Sequence, residues 1–283
     1  MYFDSDFEML ESDEMDEFIK ANKEIWEDRV DFHKKSKFYD VEGFLKGNQT
    51  LDPIELDEVG DVDGKSLLHL MCHFGMDMLS WARQGARVTG VDFSEKAIKL
   101  AAELSSRIGA KARFIASDIY ELPEVLDDEF DIVFTSGGVL TWLPDLKKWA
   151  QVVAKYVKRG GFFYIREFHP FPYVFDDDEG TEDLKLRYPY FTPDEPLKFE
   201  ASSSYAEPDA KLKKMVMYEW NHGISTLLNS IIGAGLRIDF FNEFPFTTWK
   251  ALPFLKERDD GRWVLPSHQE SMPFMYSLKA TKL

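Results

Sequence analysis

Cysteine is almost absent from the chain: Cys72 is the only one among 283 residues. A lone thiol excludes an intrachain disulfide framework and predicts a reducing, cytoplasmic setting. Basic charge is also scarce, with 34 Lys and Arg facing 51 Asp and Glu for a net charge of −17. Phosphate backbones demand a basic surface, so a nucleic-acid partner is not expected. No apolar run approaches the ~20 residues that span a bilayer. The N-terminus lacks a basic segment followed by an apolar core, so no secretory signal is read. The 44% hydrophobic content is that of an ordinary globular protein, long enough for one large α/β domain with an insertion.

The negative charge is partly local. Residues 1–20 carry eight acids (Asp4, Asp6, Glu8, Glu11, Asp13, Glu14, Asp16, Glu17) against Lys20 alone, so ten of the seventeen net charges remain on the rest of the chain. Residues 1–20 read as a solvated acidic extension. Residues 21–60 read as a helical cover that becomes loop-like, with Ile25, Trp26, Val30 and Phe32 on a loose apolar face and Gly43, Gly47 and Pro53 breaking it.

From Ser66 a rhythm begins. Apolar runs at 66–72, 87–92, 112–117, 130–135 and 161–166 predict strands. Between them, Ala97, Ala101, Leu104 and Ile108 keep helical spacing, as do Leu146, Trp149, Ala150, Val153 and Val157. The segment 75–84 predicts a shorter, weaker helix, and 119–129 a loop or a single turn. Ser94 suits a helix cap and Pro144 a first helical turn, while Gly85, Gly109 and Gly160 suit helix ends. Strands and helices alternating at this period predict a parallel sheet covered on both faces, a three-layer doubly wound α/β fold occupying residues 61–283. The rhythm lapses at 171–218, where Pro172, Tyr173, Tyr188, Pro189, Tyr190, Pro193 and Pro196 precede Tyr205. That is too long for an ordinary connection and reads as a functional excursion. A helix at 222–233 and strands near 236–246 and at the C-terminus close the chain.

Glycine is missing where it would be diagnostic. "LLHLMCHFG" runs from a buried strand into a turn, where dinucleotide-binding folds use three glycines for a tight turn and close pyrophosphate approach. Only Gly75 is present; Met71 and His73 cannot be expected to meet those needs, since a non-glycine residue at positive φ costs roughly 1–2 kcal/mol. A ligand with adenosine but no phosphates needs only part of the set, and S-adenosylmethionine is such a ligand. A metal site at His69, Cys72 and His73 is disfavoured, because a strand sends alternate side chains to opposite faces and no second Cys/His cluster follows; Cys72 then reads as a small buried hydrophobe. Asp92, ending the second strand, suits a ribose diol, its alternative being a turn or cap role. Phe93 can lie against adenine or pack in the core. Asp118 can accept from adenine's amine with Ile119 against the ring, or act as a turn residue.

"LLHLMCHFG", "VTGVDFS", "ASDIYEL", "FDIVFTSGGVLTWLPDL" and "VKRGGFFYIREFHP" resemble the successive motifs of class I S-adenosylmethionine-dependent methyltransferases, over most of residues 60–283. The first motif resembles a branch with HxxCHFG in place of the glycine-rich form: the family usually has an acid at His69 and glycines at Met71 and His73. The resemblance implies a Rossmann-like sheet of seven strands with the last antiparallel, S-adenosylmethionine as cofactor, and a helix near Trp26 covering it.

Methyl transfer from a sulfonium is an in-line displacement needing no metal, and alignment supplies much of the acceleration. Ser136, Gly137 and Gly138, after the fourth strand, are expected to face the sulfonium. Glu167 and His169, ending the fifth, are expected to face the acceptor. His169 is the candidate base, against a structural role ahead of Pro170. His222 reads as a capping or packing residue and His33 as a candidate for the cofactor cover. Tyr205, Trp249 and Trp263 are candidates for the wall of a small-molecule acceptor pocket. The competing readings are an NAD(P)-dependent oxidoreductase, which Asp92 would serve equally well, and a non-catalytic S-adenosylmethionine-binding module.

Overall fold

A computed structural model describes residues 12–191, 193, 195–200, 204–207, 211–267 and 270–283. Helix α1 (Ser12–His33) is followed by two short helices, α2 (Val41–Leu45) and α3 (Pro53–Val59). α1 begins at Ser12, so residues 12–20 are helical, whereas the segment had read as an extension; residues 1–11 of it lie outside the described residues. Asp52 caps α3 with Glu55 in a reciprocal capping box, and Pro53 opens the first turn.

The alternation continues with β1 (Ser66–Leu70), α4 (Met76–Arg83), β2 (Arg87–Asp92), α5 (Glu95–Arg107), β3 (Ala112–Ala116), α6 (Leu122–Val125), β4 (Phe130–Thr135), α7 (Leu146–Tyr156) and β5 (Val157–Phe168). The insertion contributes β6 (Leu197–Glu200) and β7 (Val216–Glu219), which pair antiparallel. Helix α8 (Ile224–Gly233) and strand β8 (Leu236–Phe244) follow, then β9 (Lys256–Glu257), β10 (Trp263–Val264) and β11 (Met275–Lys282). Seven strands form one sheet in the order β3-β2-β1-β4-β5-β11-β8, with β1 to β5 parallel and β11 antiparallel to both neighbours. This is the expected Rossmann-like sheet.

Strand alternation sorts the core into two layers. Leu67 of β1 packs with Met78 and Leu79 of α4 and Ala97 and Leu104 of α5; its neighbour Leu68 faces Trp149 and Val153 of α7 and Ile231 of α8. Two local expectations change. α7 starts at Leu146, because Asp145 caps it by accepting from the N–H groups of Lys147 and Lys148, leaving Pro144 outside. Gly160 lies within β5 rather than after a helix, since α7 passes into β5 at Val157 without a loop. The weak segment 75–84 forms a full helix because Met76, Met78, Leu79 and Trp81 are buried by tertiary contacts.

The cover and the insertion meet. Asn22 of α1 donates to the Tyr218 carbonyl and accepts from the Tyr218 N–H, each at 2.8 Å, so it completes the free edge of β7 like a short strand. Phe18 lies against the Tyr218 ring at 4.5 Å.

Candidate functional site

Above the carboxyl ends of β1, β2, β4 and β5 lies a cavity of about 1290 Å³, roofed by α1 and the insertion. Its floor begins where β1 breaks. Met71, His73 and Gly75 all take left-handed backbone, with φ of 57°, 49° and 76°. The glycine-like path of the turn is therefore kept at all three positions, contrary to the expectation that Met71 and His73 would not adopt it. Tertiary bonds offset the strain: the His73 N–H donates to Asp92 Oδ2 at 2.7 Å, and His73 Nε2 shares a 3.0 Å hydrogen bond with Nδ1 of His33. Gly75 is held more tightly, since an added Cβ would sit 3.1 Å from the Ala101 Cβ at an already left-handed residue.

Trp26, Cys72, His73, Gly75, Asp92, Phe93, Ser136, Gly137, Gly138, Tyr205 and Trp249 line this cavity together. Asp92 is buried, and its other oxygen accepts from the Ser94 N–H at 2.9 Å. It thus fills the turn role that was its alternative reading while still bordering the cavity. Burial pushes its carboxyl up to about 6 against the pull of these two amides. Cys72 is a buried member of the apolar layer, its thiol pushed up by desolvation, which agrees with the hydrophobe reading.

The remaining candidates sit elsewhere. His69 is buried behind the floor with Nε2 3.1 Å from Ser136 Oγ and Nδ1 unpartnered; burial lowers it to about 3, so it is neutral. Asp118 closes a turn by accepting from the Tyr120 N–H at 2.7 Å, and Ile119 is buried in the α7 layer; neither borders the cavity. Glu167 is a correction. Its buried carboxylate does not face an acceptor but accepts from the N–H groups of Gly138, Val139 (2.8 Å), Leu140 (3.1 Å) and Phe168 (2.7 Å), fixing the loop after β4. His169 is a second: Nδ1 accepts from the Phe171 N–H at 3.1 Å, Nε2 lies 3.1 Å from Glu243, and the ring is off the cavity lining. Burial lowers it to about 4. His33 is fully buried behind His73, reaching Ser204 Oγ at 2.7 Å. His222 donates from Nε2 to the Leu143 carbonyl at 2.6 Å, the packing role expected of it. Trp263 packs in a satellite core away from the lining.

Among the described residues, the single grouping of acids or histidines spaced for a metal is Asp176, Asp177 and Asp178, where Arg187 already stands 2.6 Å from both Asp176 and Asp178. The His69, Cys72 and His73 set forms no such grouping, even though β1 breaks at Met71.

Several lining residues had escaped notice. Asp77, in the first turn of α4, has its carboxyl hydrogen-bonded by Thr50 and Ser136 and pushed up by burial. Arg166 lies between Glu55 (3.3 Å) and Asp52 (3.8 Å). Arg29 of α1, Glu219 of β7 and Trp142 also line the cavity, with Arg29 against Trp26 and Trp142. Arg29 stands three residues after Trp26, one helical turn, a spacing that could have revealed it. Four acids thus line the cavity, Asp52 and Glu55 beside Arg166 of β5, Asp77 at the start of α4 and Asp92 at the end of β2, a setting for a cation or a diol.

Desolvation raises Glu55 to about 7, Glu219 to about 7 and Asp92 to about 6. The folded protein thus keeps protons that the unfolded chain releases near pH 4, so this stabilisation is full below the unfolded values and is lost as pH rises toward 7. The expected result is a melting temperature that falls between pH 5 and 7, with a shallower fall in Glu219→Gln; an unchanged slope in that variant would assign the pH dependence to other groups.

A model described as "Methyltransferase domain" matches residues 67–161. The ubiquinone biosynthesis O-methyltransferase of Vibrio cholerae is 31% identical over 134 residues, covering 46% of this chain and 54% of that one. The corresponding enzyme of Bordetella avium is 28% identical over 144 residues, covering 50% and 59%. The chain thus spans little more than half the length of these curated relatives. Among solved structures, an S-adenosylmethionine-dependent methyltransferase from Mesorhizobium loti superposes with a TM-score of 0.58 at 20% identity, over 83% of this chain and 99% of that one. The matched segment runs from β1 into β5 and so contains the left-handed turn, Asp92 and the loop after β4, the parts that floor the cavity; residues 67–161 are thus similar to a methyltransferase domain, and the sheet that carries them has the fold of the solved S-adenosylmethionine-dependent methyltransferase.

Proposed function

We propose that the chain transfers a methyl group from S-adenosylmethionine to a small-molecule acceptor held in the same cavity. The observation that carries this reading is the continuity of the cavity. At about 1290 Å³ it exceeds the ~300–1,000 Å³ usual for a single ligand, and it runs unbroken from Asp92 and Phe93 to the aromatic wall of the insertion. A cofactor and a small acceptor fit side by side in such a volume. No helix among the described residues is long and apolar enough to cross a membrane.

The donor set suits the cofactor. Asp92 and Phe93 meet the needs of a ribose and a base, and Asp77, with the acids around it, those of an ammonium. The side chains of Met71 and His73 occupy the turn where pyrophosphate would approach. Bound there, S-adenosylmethionine supplies a methyl group on positively charged sulfur. Glu167 keeps Gly138 in place, and Gly137 packs closely on β5, where an added Cβ would stand 3.2 Å from the Arg166 carbonyl. Tyr173, Tyr205 and Trp249 wall the acceptor and exclude water.

Proton removal, where the acceptor needs it, falls to Glu219 rather than His169. Its carboxyl borders the cavity, accepts from Thr141 Oγ1 at 3.4 Å, and is raised by burial to about 7, near the operating range of a general base.

Isothermal titration with S-adenosylhomocysteine and with NAD, followed by mass spectrometry of small-molecule extracts incubated with methyl-labelled S-adenosylmethionine, tests the reading. Binding of the homocysteine product and label in a small molecule are expected. Binding of NAD instead would turn the assignment toward an oxidoreductase, and binding without transfer toward a non-catalytic module.

A further inference from the structure

Arg29 is a buried cation of the cavity wall with no counter-ion among the described residues. The guanidinium of Arg29 is 4% exposed, yet no carboxylate among the described residues lies within 4.0 Å of it. Its Nε has no hydrogen-bond partner, and Nη2 reaches only Met217 Sδ, at 3.3 Å. Trp26 and Trp142 hold it by their faces, with its central carbon 5.0 Å and 5.7 Å from the ring centroids. Glu219 is the acid nearest in influence but forms no ion pair with it. A buried charge is ordinarily paired or fully hydrogen-bonded. Arg166, in the same cavity, shows the ordinary case, with Glu55 and Asp52 as partners. Arg29 is thus a desolvated, aromatically clamped fork whose donors are left over.

We propose that Arg29 is a carboxylate receptor built into the cavity wall. Guanidinium donors lie in one plane and match the two oxygens of a carboxylate, and the two tryptophan rings, set at 88° to each other, confine the guanidinium in advance, lowering the entropy lost on binding. The anion has two sources, the amino-acid tail of the cofactor or an acid group on the methyl acceptor, and both rest on the functional reading above. Both are the same chemistry at the same fork.

Isothermal titration of the wild-type protein, Arg29→Met and Arg29→Lys separates them, with S-adenosylhomocysteine, its decarboxylated analogue and benzoate as probes. Melting curves establish that each variant is folded. A cofactor carboxylate at Arg29 gives a ~10–100-fold loss of S-adenosylhomocysteine affinity in Arg29→Met, the scale of a hydrogen bond to a charged group, with the decarboxylated analogue unaffected. An acceptor carboxylate leaves S-adenosylhomocysteine unaffected and gives a similar loss for benzoate titrated into protein loaded with it. Arg29→Lys, which keeps the charge but not the fork, falls between wild type and Arg29→Met in either case. If Arg29→Met does not fold, Arg29→Lys is judged by the same comparisons. Unchanged affinity for both carboxylate probes overturns the proposal. Should the wild-type protein ignore S-adenosylhomocysteine, the functional reading fails on its own, and benzoate titrated into unloaded protein still decides the role of Arg29.

Discussion

Glu167→Ala should destabilise the protein by ~3–5 kcal/mol, the range for removing one partner of a buried charge interaction, and should loosen the loop after β4. The carboxylate is 4% exposed and accepts from four backbone N–H groups, three of them consecutive in Gly138-Val139-Leu140. Truncation leaves all four donors buried without an acceptor, and each unsatisfied group costs ~1–3 kcal/mol before relaxation. Relaxation must move the loop, because Phe168 and the Arg166 carbonyl already crowd Gly138 and Gly137. Glu167→Gln should also be costly, since its amide N–H₂ would be aimed at donors. Chemical denaturation measures the loss, and for a domain of ordinary stability (~5–15 kcal/mol) it is a large share. A loss below ~1 kcal/mol in Glu167→Ala would show that the four amides find water, and that the carboxylate does not organise the loop.

Glu167 also marks a boundary of what the sequence reveals. The strand ends were legible, because buried parallel strands are continuous apolar runs and their carboxyl ends collect polar residues. The seven-strand count and the antiparallel last strand were legible only through the motif resemblance, since periodicity carries no pairing information. That an acid at the end of β5 would turn back to bind amides 27 to 29 residues earlier was not legible, because it depends on the path of the loop after β4. The placing of His169 was hidden for a similar reason: a local bond to the Phe171 N–H holds its ring off the cavity lining.

The turn after β1 misled in a different way. Local energetics opposes positive φ at Met71 and His73, and a reading confined to propensity excludes it. Asp92 and His33, one from β2 and one from α1, provide the bonds that offset it at His73. Arg29 was within reach of the sequence through its spacing from Trp26. Glu219 was not, because the pairing of β6 with β7 that carries it into the cavity has no sequence period to announce it.

Asp92→Ala is expected to lower S-adenosylhomocysteine affinity by ~1–3 kcal/mol through a lost ribose acceptor, and to reduce stability by a further amount of the same order. The two effects have separable origins. Oδ2 satisfies the N–H of a left-handed His73, and Oδ1 that of Ser94, so truncation releases the turn that floors the cavity as well as the cofactor contact. Asp92→Asn separates them: the amide keeps one acceptor oxygen and the shape of the side chain but sets a donor against one of the two N–H groups. It should therefore lose stability comparable to Asp92→Ala and become insensitive to pH, whereas wild-type affinity should rise from pH 5 to 7 as a carboxyl raised to about 6 ionises. Titration calorimetry across that range, alongside melting curves, reads both. Wild-type affinity flat with pH and unchanged in Asp92→Ala would remove the carboxylate from the cofactor site and leave it the turn alone.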